Sequence, residues 1–509
     1  MKFFNKNSNK KKMSKKQLMN WSFSLLFISL FLLIVDEFLI FKYAFLNFKN
    51  INLIISAVLI FILIVIAFIN LKRKISRASI VFSSIYCGLL VVLLAMTIGY
   101  IGLFDHIFGR LRGSGYNEYK MSVVVLADSK YQEIAELKDL KVAVPSKDTK
   151  NVKDFINSLA IKGINFEHVD TKSYVESYNK LLNHEVEAFI LNGSHEEFIK
   201  DEDAKYKSKI RKIYEITLKQ AAESTAKYLN DGRVFNVYIS GIDTEGSIDT
   251  VSRSDVNIIA TVNMNTHKIL LTTTPRDSYV SIPGEGLDEK DKLTHAGLYG
   301  VDTSVKTLEK LYGVDINYYA KVNFTTFINI IKLIGDISIY NDQAFTSLHG
   351  GYEFPVGNIT MNAEQTLGFV RERYSLANGD FDRGKNQQKV LKAILNKLID
   401  PNNLKNYKAI LDTIEDSTQT NMEAKTLMTI INEQLDHGVP YTIETQALEV
   451  FGVSGLESFL MPGQDLYMAE INEDSLIEVK NKIRKAMDLP ILNNQEVKTN
   501  TNEGEGVEN

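Results

Sequence analysis

Two long runs without a charged side chain constrain this chain more than any other feature. Residues 51–71 and 78–104 hold no Asp, Glu, Lys or Arg, and each is long enough to cross a hydrocarbon core of ~30 Å as a helix. A third apolar stretch, 21–46, carries Asp36, Glu37 and Lys42. Such charges are costly at the centre of a bilayer and would also suit an interfacial helix. Parity decides between the two. The first sixteen residues contain seven lysines (Lys2, Lys6, Lys10, Lys11, Lys12, Lys15 and Lys16), and Lys72, Arg73, Lys74 and Arg77 separate the two uncharged runs. Both basic clusters belong on the cytoplasmic side by the positive-inside rule. An even number of crossings must then lie between them, so 21–46 is a span. The third crossing delivers residues 105–509 to the outer face. Apolar material continues far past any small-residue cleavage site, which argues against a removed signal peptide.

The remaining sequence is too long for one ordinary core, and two or more domains are expected in the 509 residues. A net charge of -4 gives no global attraction to nucleic acid. The single cysteine, Cys87, lies in an apolar run, so disulfides play no part. After a basic N-terminus (1–20) and three spans (21–104), residues 119–219 read as a small α/β accessory domain. Strand patterns run over 122–126, 140–144 and 189–191, with helical spacing over 154–161 and 174–182. Residues 137–146 resemble part of an extracytoplasmic solute-binding domain, and a purely structural role fits them equally. A polar connector over about 206–233 favours helix. The main domain, 234–398, opens with a strand at 235–240 and a hairpin of strands at 255–262 and 268–274. Residues 324–334 are apolar on most faces, which predicts a buried helix stopped by Gly335, and 389–398 predicts an amphipathic helix. Residues 399–490 are expected to pack on this domain, and 491–509, with almost no apolar residues, to be disordered.

Polar residues of interest gather where strands end. Asp243 follows the first strand, Arg276 and Asp277 follow Pro275 at the end of the hairpin, and Arg253 and Asp255 sit two apart where a strand begins. In a strand such a pair projects to one face, and ligands of open α/β sheets sit beyond the carboxyl ends of strands. Arg371 and Arg373 would likewise share a face if the chain there is extended, with Asp380 and Arg383 close behind. Several guanidinium groups converging on one cleft suit a multiply charged phosphate. Carboxylates in such a cationic site make sense if a hard divalent ion bridges them to the phosphate. Each arginine alone could as well be a surface ion-pair partner, and His295 a structural histidine. No Ser-His-Asp set, zinc spacing or glycine-rich phosphate loop is present.

Six motifs then occur in order: residues 236–243, 252–255, 274–277, 291–296, 369–373 and 382–388. Together they resemble the LytR-CpsA-Psr family, densely over 234–398, and the three-span anchor with an accessory domain is similar to its capsule-associated CpsA branch. The resemblance implies an α/β fold with a central mixed sheet flanked by helices and a tunnel for a polyprenyl tail. It implies transfer of a glycopolymer, capsular or teichoic-acid-like, from polyprenyl pyrophosphate to peptidoglycan at the membrane, alongside capsule-synthesis machinery and without nucleic acid. Carried over by position, Asp243 and Asp255 would hold magnesium, or manganese in its place. Arg253, Arg276, Lys292, Arg371, Arg373 and Arg383 would grip the pyrophosphate, supported by Asp380 and Gln387. Asp255 or Asp277 would take the proton, with Arg253 beside the reacting phosphorus. Two departures stand out: Thr294 replaces a frequent asparagine and Asn386 a common arginine. The same site would serve a polyprenyl-pyrophosphate hydrolase or a non-catalytic sensor of lipid-linked intermediates. A cytoplasmic part of about twenty residues without a helix-turn-helix argues against direct gene regulation.

Overall fold

The computed structural model describes residues 13–72, 76–111, 116–146, 149–221, 232–242, 248–400, 407–415 and 418–492, and they fall into two compact units. The first comprises Met1–Phe108 and Glu423–Gly438. Its three helices, Lys15–Tyr43, Ile51–Leu71 and Arg77–Leu111, are long and apolar enough to cross a membrane. They are built inside out relative to a water-soluble bundle. Phe27, Phe68 and Met96 are largely exposed, while small polar residues are buried between helices. Ser22 and Ser83 both bond to Asn70, at 3.2 and 2.9 Å, as suits helices packing in lipid. The acids within 21–46 are met internally: Thr97 donates to Asp36 at 2.7 Å and Ser56 to Glu37 at 2.7 Å. The helix Ala424–His437 groups with this unit rather than with the sheets, its Asn432 donating to the Ala44 carbonyl at 2.7 Å. That differs from the expectation that all of 399–490 packs on the main domain. Residues 1–12, Arg73 and Lys74, and most of the 491–509 tail lie outside the described residues.

The second unit, Gly109–Met422 with Val439–Asn509, contains two mixed sheets. The accessory sheet has strands β1 (Tyr116–Leu126), β2 (Lys141–Pro145), β3 (Glu167–Thr171), β4 (Ala188–Asn192) and β5 (Ile210–Ala221), in the order β3-β2-β4-β1-β5. Strand β5 corrects the helical connector read from the sequence. Its Lys, Glu and Gln content favours helix, but Ile216 and Leu218 alternate with polar residues and pack on the accessory core, and eleven residues of the strand pair with β1. Cross-strand pairing overrides propensity. Residues 222–231 are outside the described set.

The main sheet contains β6 (Val234–Ile242), β7 (Ser254–Asn263) and β8 (Lys268–Thr273). After a ribbon of β9 (Tyr279–Ser281) and β10 (Lys290–Lys292) comes β11 (Tyr318–Val322), parallel to β6. Two further ribbons pair β12 (Ile337–Asn341) with β15 (Gly357–Met361), and β13 (Phe345–Thr346) with β14 (Glu353–Phe354). Strands β16 (Thr418–Thr420) and β17 (Thr442–Ala447) form the sheet edges, and β18 (Val450–Val453) pairs with β19 (Met468–Ile471). The order is β16-β11-β6-β7-β8-β17. The two-residue period of a strand sorts the core. Ile259 packs with the helices Val301–Tyr312 and Glu473–Ala486 on one face, and its neighbours Ile258 and Ala260 with residues of the helix Asp380–Leu398 on the other.

Two helices differ from expectation. The helix Phe324–Ile334 has the predicted bounds and stops at Gly335, but it is not buried: Phe324, Phe327, Ile328 and Ile330 are only partly covered and Leu333 is exposed. The helix expected at 389–398 begins nine residues earlier, at Asp380, after Gly379 with φ 51°.

Candidate active site

Strands β6, β8, β11 and β17 all end on one edge of the main sheet, because they run parallel to one another while β7 and β16 run antiparallel to them. That edge collects the charged residues. Asp243, next after β6, lies outside the described residues. At the end of β6 the β6–β7 register shifts: Gly241 pairs with Val256 and Ile242 with Ser254. Asp255 is therefore the extra residue of a bulge, a device that re-aims a side chain. Gly241 is required there, since a Cβ would lie 2.7 Å from the Val256 side chain.

The turn after β8 supplies the partner. Arg276 Nη1 donates to Asp255 Oδ1 at 2.8 Å, and Thr294 Oγ1 reaches the same oxygen at 3.3 Å. Asp277, almost fully buried, pairs with Lys292 Nζ at 3.3 Å and Arg276 Nε at 3.8 Å. Burial pushes its carboxyl pKa up, yet Lys292, Arg276 and Arg373 prevail and hold it below the ordinary value. A carboxylate held ionised by three cations is a weak base.

The helix Asp380–Leu398 closes the cleft. Asp380, Arg383 and Gln387 follow helical spacing and line it together with Asp255, Thr274 and Arg276, around a space of about 20 Å³. Gln388 docks the helix by donating to Thr273 Oγ1 at 2.8 Å and to the Gln446 carbonyl. Arg383 pairs with Asp380. Burial lowers its pKa, Asp380 opposes the shift, and Arg276 and Arg373 repel it further. The guanidinium groups of Arg276, Arg373 and Arg383 thus act on one another, an arrangement that an anion between them would relieve.

Two expectations need correction. Arg371 and Arg373 do not share an extended stretch: Arg371 ends the helix Ala363–Arg371 and stacks on Phe324 at 4.2 Å, while Arg373 lies beyond the break. Glu372 lies between them. It is buried and accepts the backbone N–H groups of Leu348 at 2.5 Å and of Arg373 and Ser375 at 2.9 Å each. Arg253 does not project with Asp255 toward Arg276. It pairs with Glu197 and, at 3.7 Å, Asp201, over the Phe198 ring of the accessory domain. Composition gave no sign of the Glu372 anchor, or of Thr294 as a donor to Asp255. His295 is structural, hydrogen-bonded to the buried Asp291 at 2.8 Å. Asn386 is buried, and its Nδ2 donates to nothing among the described residues.

Asp255, Arg276, Arg373, Asp380 and Arg383 are therefore brought together, with Lys292 behind Asp277. Among the described residues no group of three or more His, Cys, Asp or Glu forms a ready metal cluster.

The model of the LytR-CpsA-Psr family matches residues 197–485. The polyisoprenyl-teichoic acid–peptidoglycan teichoic acid transferase TagU of Enterococcus faecalis is 35% identical over 214 residues, covering 42% of this chain and 68% of that protein. TagU of Oceanobacillus iheyensis is 31% identical over 240 residues, covering 45% and 72%. The crystal structure of B. subtilis TagV aligns at 22% identity with a TM-score of 0.44, covering 51% of this chain and 99% of that one. A DNA polymerase processivity factor model also matches 77–191, a stretch that starts in the third apolar helix and ends within the accessory sheet.

Proposed function

The chain belongs to the LytR-CpsA-Psr family, and from that premise we propose that it transfers a polyprenyl-pyrophosphate-linked glycopolymer onto peptidoglycan. The observation that carries this reading is the convergence of Arg276, Arg373 and Arg383 on carboxylates at the strand ends. Relatives named as teichoic acid transferases support a teichoic-acid-like polymer. Three apolar helices and an accessory sheet support the CpsA branch, which makes capsular polysaccharide the second polymer to test.

In this reading the arginines hold the pyrophosphate and Asp255 faces the reacting phosphorus. A peptidoglycan hydroxyl oxygen forms a bond to the sugar-proximal phosphorus, its proton passes to Asp255, and the bond from that phosphorus to the bridging oxygen breaks. Polyprenyl phosphate departs and a phosphodiester remains. The chain's share is positioning and neutralisation of charge. The partly covered apolar helix Phe324–Ile334, which stacks against Arg371, suits the polyprenyl tail. A magnesium ion fits the donor set: among the described residues Asp255 accepts its bonds on Oδ1, which leaves Oδ2 for a cation, and Asp380 stands nearby with Asp243 as a further candidate. Bound there, it would neutralise phosphate oxygens. The basic clusters favour an inside N-terminus, with residues 105–509 outside.

Incubating the full chain in nanodiscs with labelled lipid-linked polymer and peptidoglycan tests the proposal. Label should become covalently bound to the wall; label released only to water would replace transferase by hydrolase.

A further inference from the structure

Asp255 belongs to two clefts. On one side lies the arginine-lined space already described. On the other, a second cleft of about 350 Å³ opens between the accessory sheet and the segment 250–255. Its walls are fastened to each other. Glu118 at the start of β1 donates its backbone N–H to the Asp249 carbonyl at 3.0 Å, and Val251 returns a bond to the Glu118 carbonyl at 3.2 Å. The Val251 side chain is buried in the accessory core. The accessory domain therefore holds the strand entry that carries Arg253 and Asp255, and the cleft is a built feature of the fold.

Its charge differs from its neighbour's. Among the described residues five carboxylates and three cations line it, whereas two carboxylates and two arginines line the first cleft. A phosphate-rich chain is repelled by such an excess of acid. A neutral polyhydroxylated ligand is not, because hydroxyls donate to carboxylates and accept from ammonium groups. The lining offers both in fixed positions. Lys212 is held between Glu196 at 3.3 Å and Glu215 at 3.1 Å, Ser122 steadies Glu215 at 3.0 Å, and Ser194 stands at the same wall.

We propose that this second cleft is a carbohydrate subsite that seats the uncharged sugar backbone of the acceptor glycan, placing a hydroxyl at Asp255. The assignment rests on the transferase reading. It takes the acceptor rather than the donor because the donor polymer's phosphates suit the arginine cleft and not this one. Arg253, pinned by Glu197 and Asp201 over Phe198, lines the second cleft, and Asp255 lines both.

The test uses the full chain in nanodiscs and a peptide-free tetrasaccharide of alternating N-acetylglucosamine and N-acetylmuramic acid, its lactyl carboxyls capped as amides so that the probe is uncharged like the peptide-linked glycan. Calorimetry should show binding to the wild type, weakened about tenfold in Lys212→Met and in the isosteric Glu215→Gln. In the transfer assay KM for the tetrasaccharide should rise by the same factor, while KM for the lipid-linked donor stays within about twofold. No binding by the wild type, or equal affinities in all three proteins, overturns the proposal. A rise in donor KM alone overturns it too, since the cleft would then hold donor sugar. Should transfer itself be absent, the transferase reading falls, while the calorimetry still reads the cleft.

Discussion

The main and accessory sheets are both mixed layers with helices packed on them, yet they place charge differently. In the accessory domain, pairs such as Lys180–Glu185 and Lys209–Asp203 sit in solvent, and at least one partner of each is well exposed. At the edge of the main sheet, Arg276–Asp255, Lys292–Asp277 and Arg383–Asp380 are covered, with no side chain more than 24% exposed. Exposed pairs are worth little to either fold or function. Covered ones hold their charges ready for a partner and are sensitive to the loss of either member. The contrast predicts where substitutions matter.

The largest effect should come from Arg276→Ala. It removes charge-assisted bonds worth about 1.5–3 kcal/mol each and leaves Asp255 and Asp277 without a shared cation. Transfer should fall about a hundredfold or more, with Arg276→Lys recovering charge but not the forked geometry. A loss below about threefold would place Arg276 with the surface pairs.

Glu372→Gln comes next and reads stability. The buried carboxylate accepts three backbone N–H groups, and an amide turns a donor toward them. A cost of about 1–3 kcal/mol follows, measurable as a lower melting temperature with weaker binding through displaced Arg373. An unchanged melting temperature would break the claim that this loop is fixed from inside.

How much of this was legible in the sequence follows from the kind of signal each part leaves. Strands β6 to β8 and their turn show as alternating apolar runs punctuated by Asn, Gly and Pro, two of the three spans as uncharged runs, and the first span through the placing of the basic clusters. The strand β5 does not, because its polar residues face solvent and its pairing with β1 is non-local. The start of the helix at Asp380 was hidden by Gly379 and a run of polar residues. Arg253 looked like a partner of Asp255 by strand periodicity. The acids that hold it, Glu197 and Asp201, stand more than fifty residues away in the chain, and no local pattern predicts that contact.

A smaller effect concerns pH. The folded-state pKa of Asp277 lies below its ordinary value of 3.8, so its ionised form stabilises the fold above that pH, and the stabilisation is lost as pH falls through the folded value. Asp277→Asn should therefore lower the melting temperature fully above about pH 4, with the gap to wild type narrowing below it. A gap constant with pH would show that the carboxylate charge is not what matters. Smallest of all, Lys180→Ala in the accessory domain should change stability by less than about 0.5 kcal/mol; a larger loss would erase the contrast between the two sheets.

The fate of one phosphorus tests the central claim most directly. A donor labelled only at the sugar-proximal phosphorus, incubated with the full chain and peptidoglycan, should leave its label in the wall phosphodiester and release unlabelled polyprenyl phosphate. Label recovered in polyprenyl pyrophosphate would show cleavage at the sugar carbon instead, and would contradict the account.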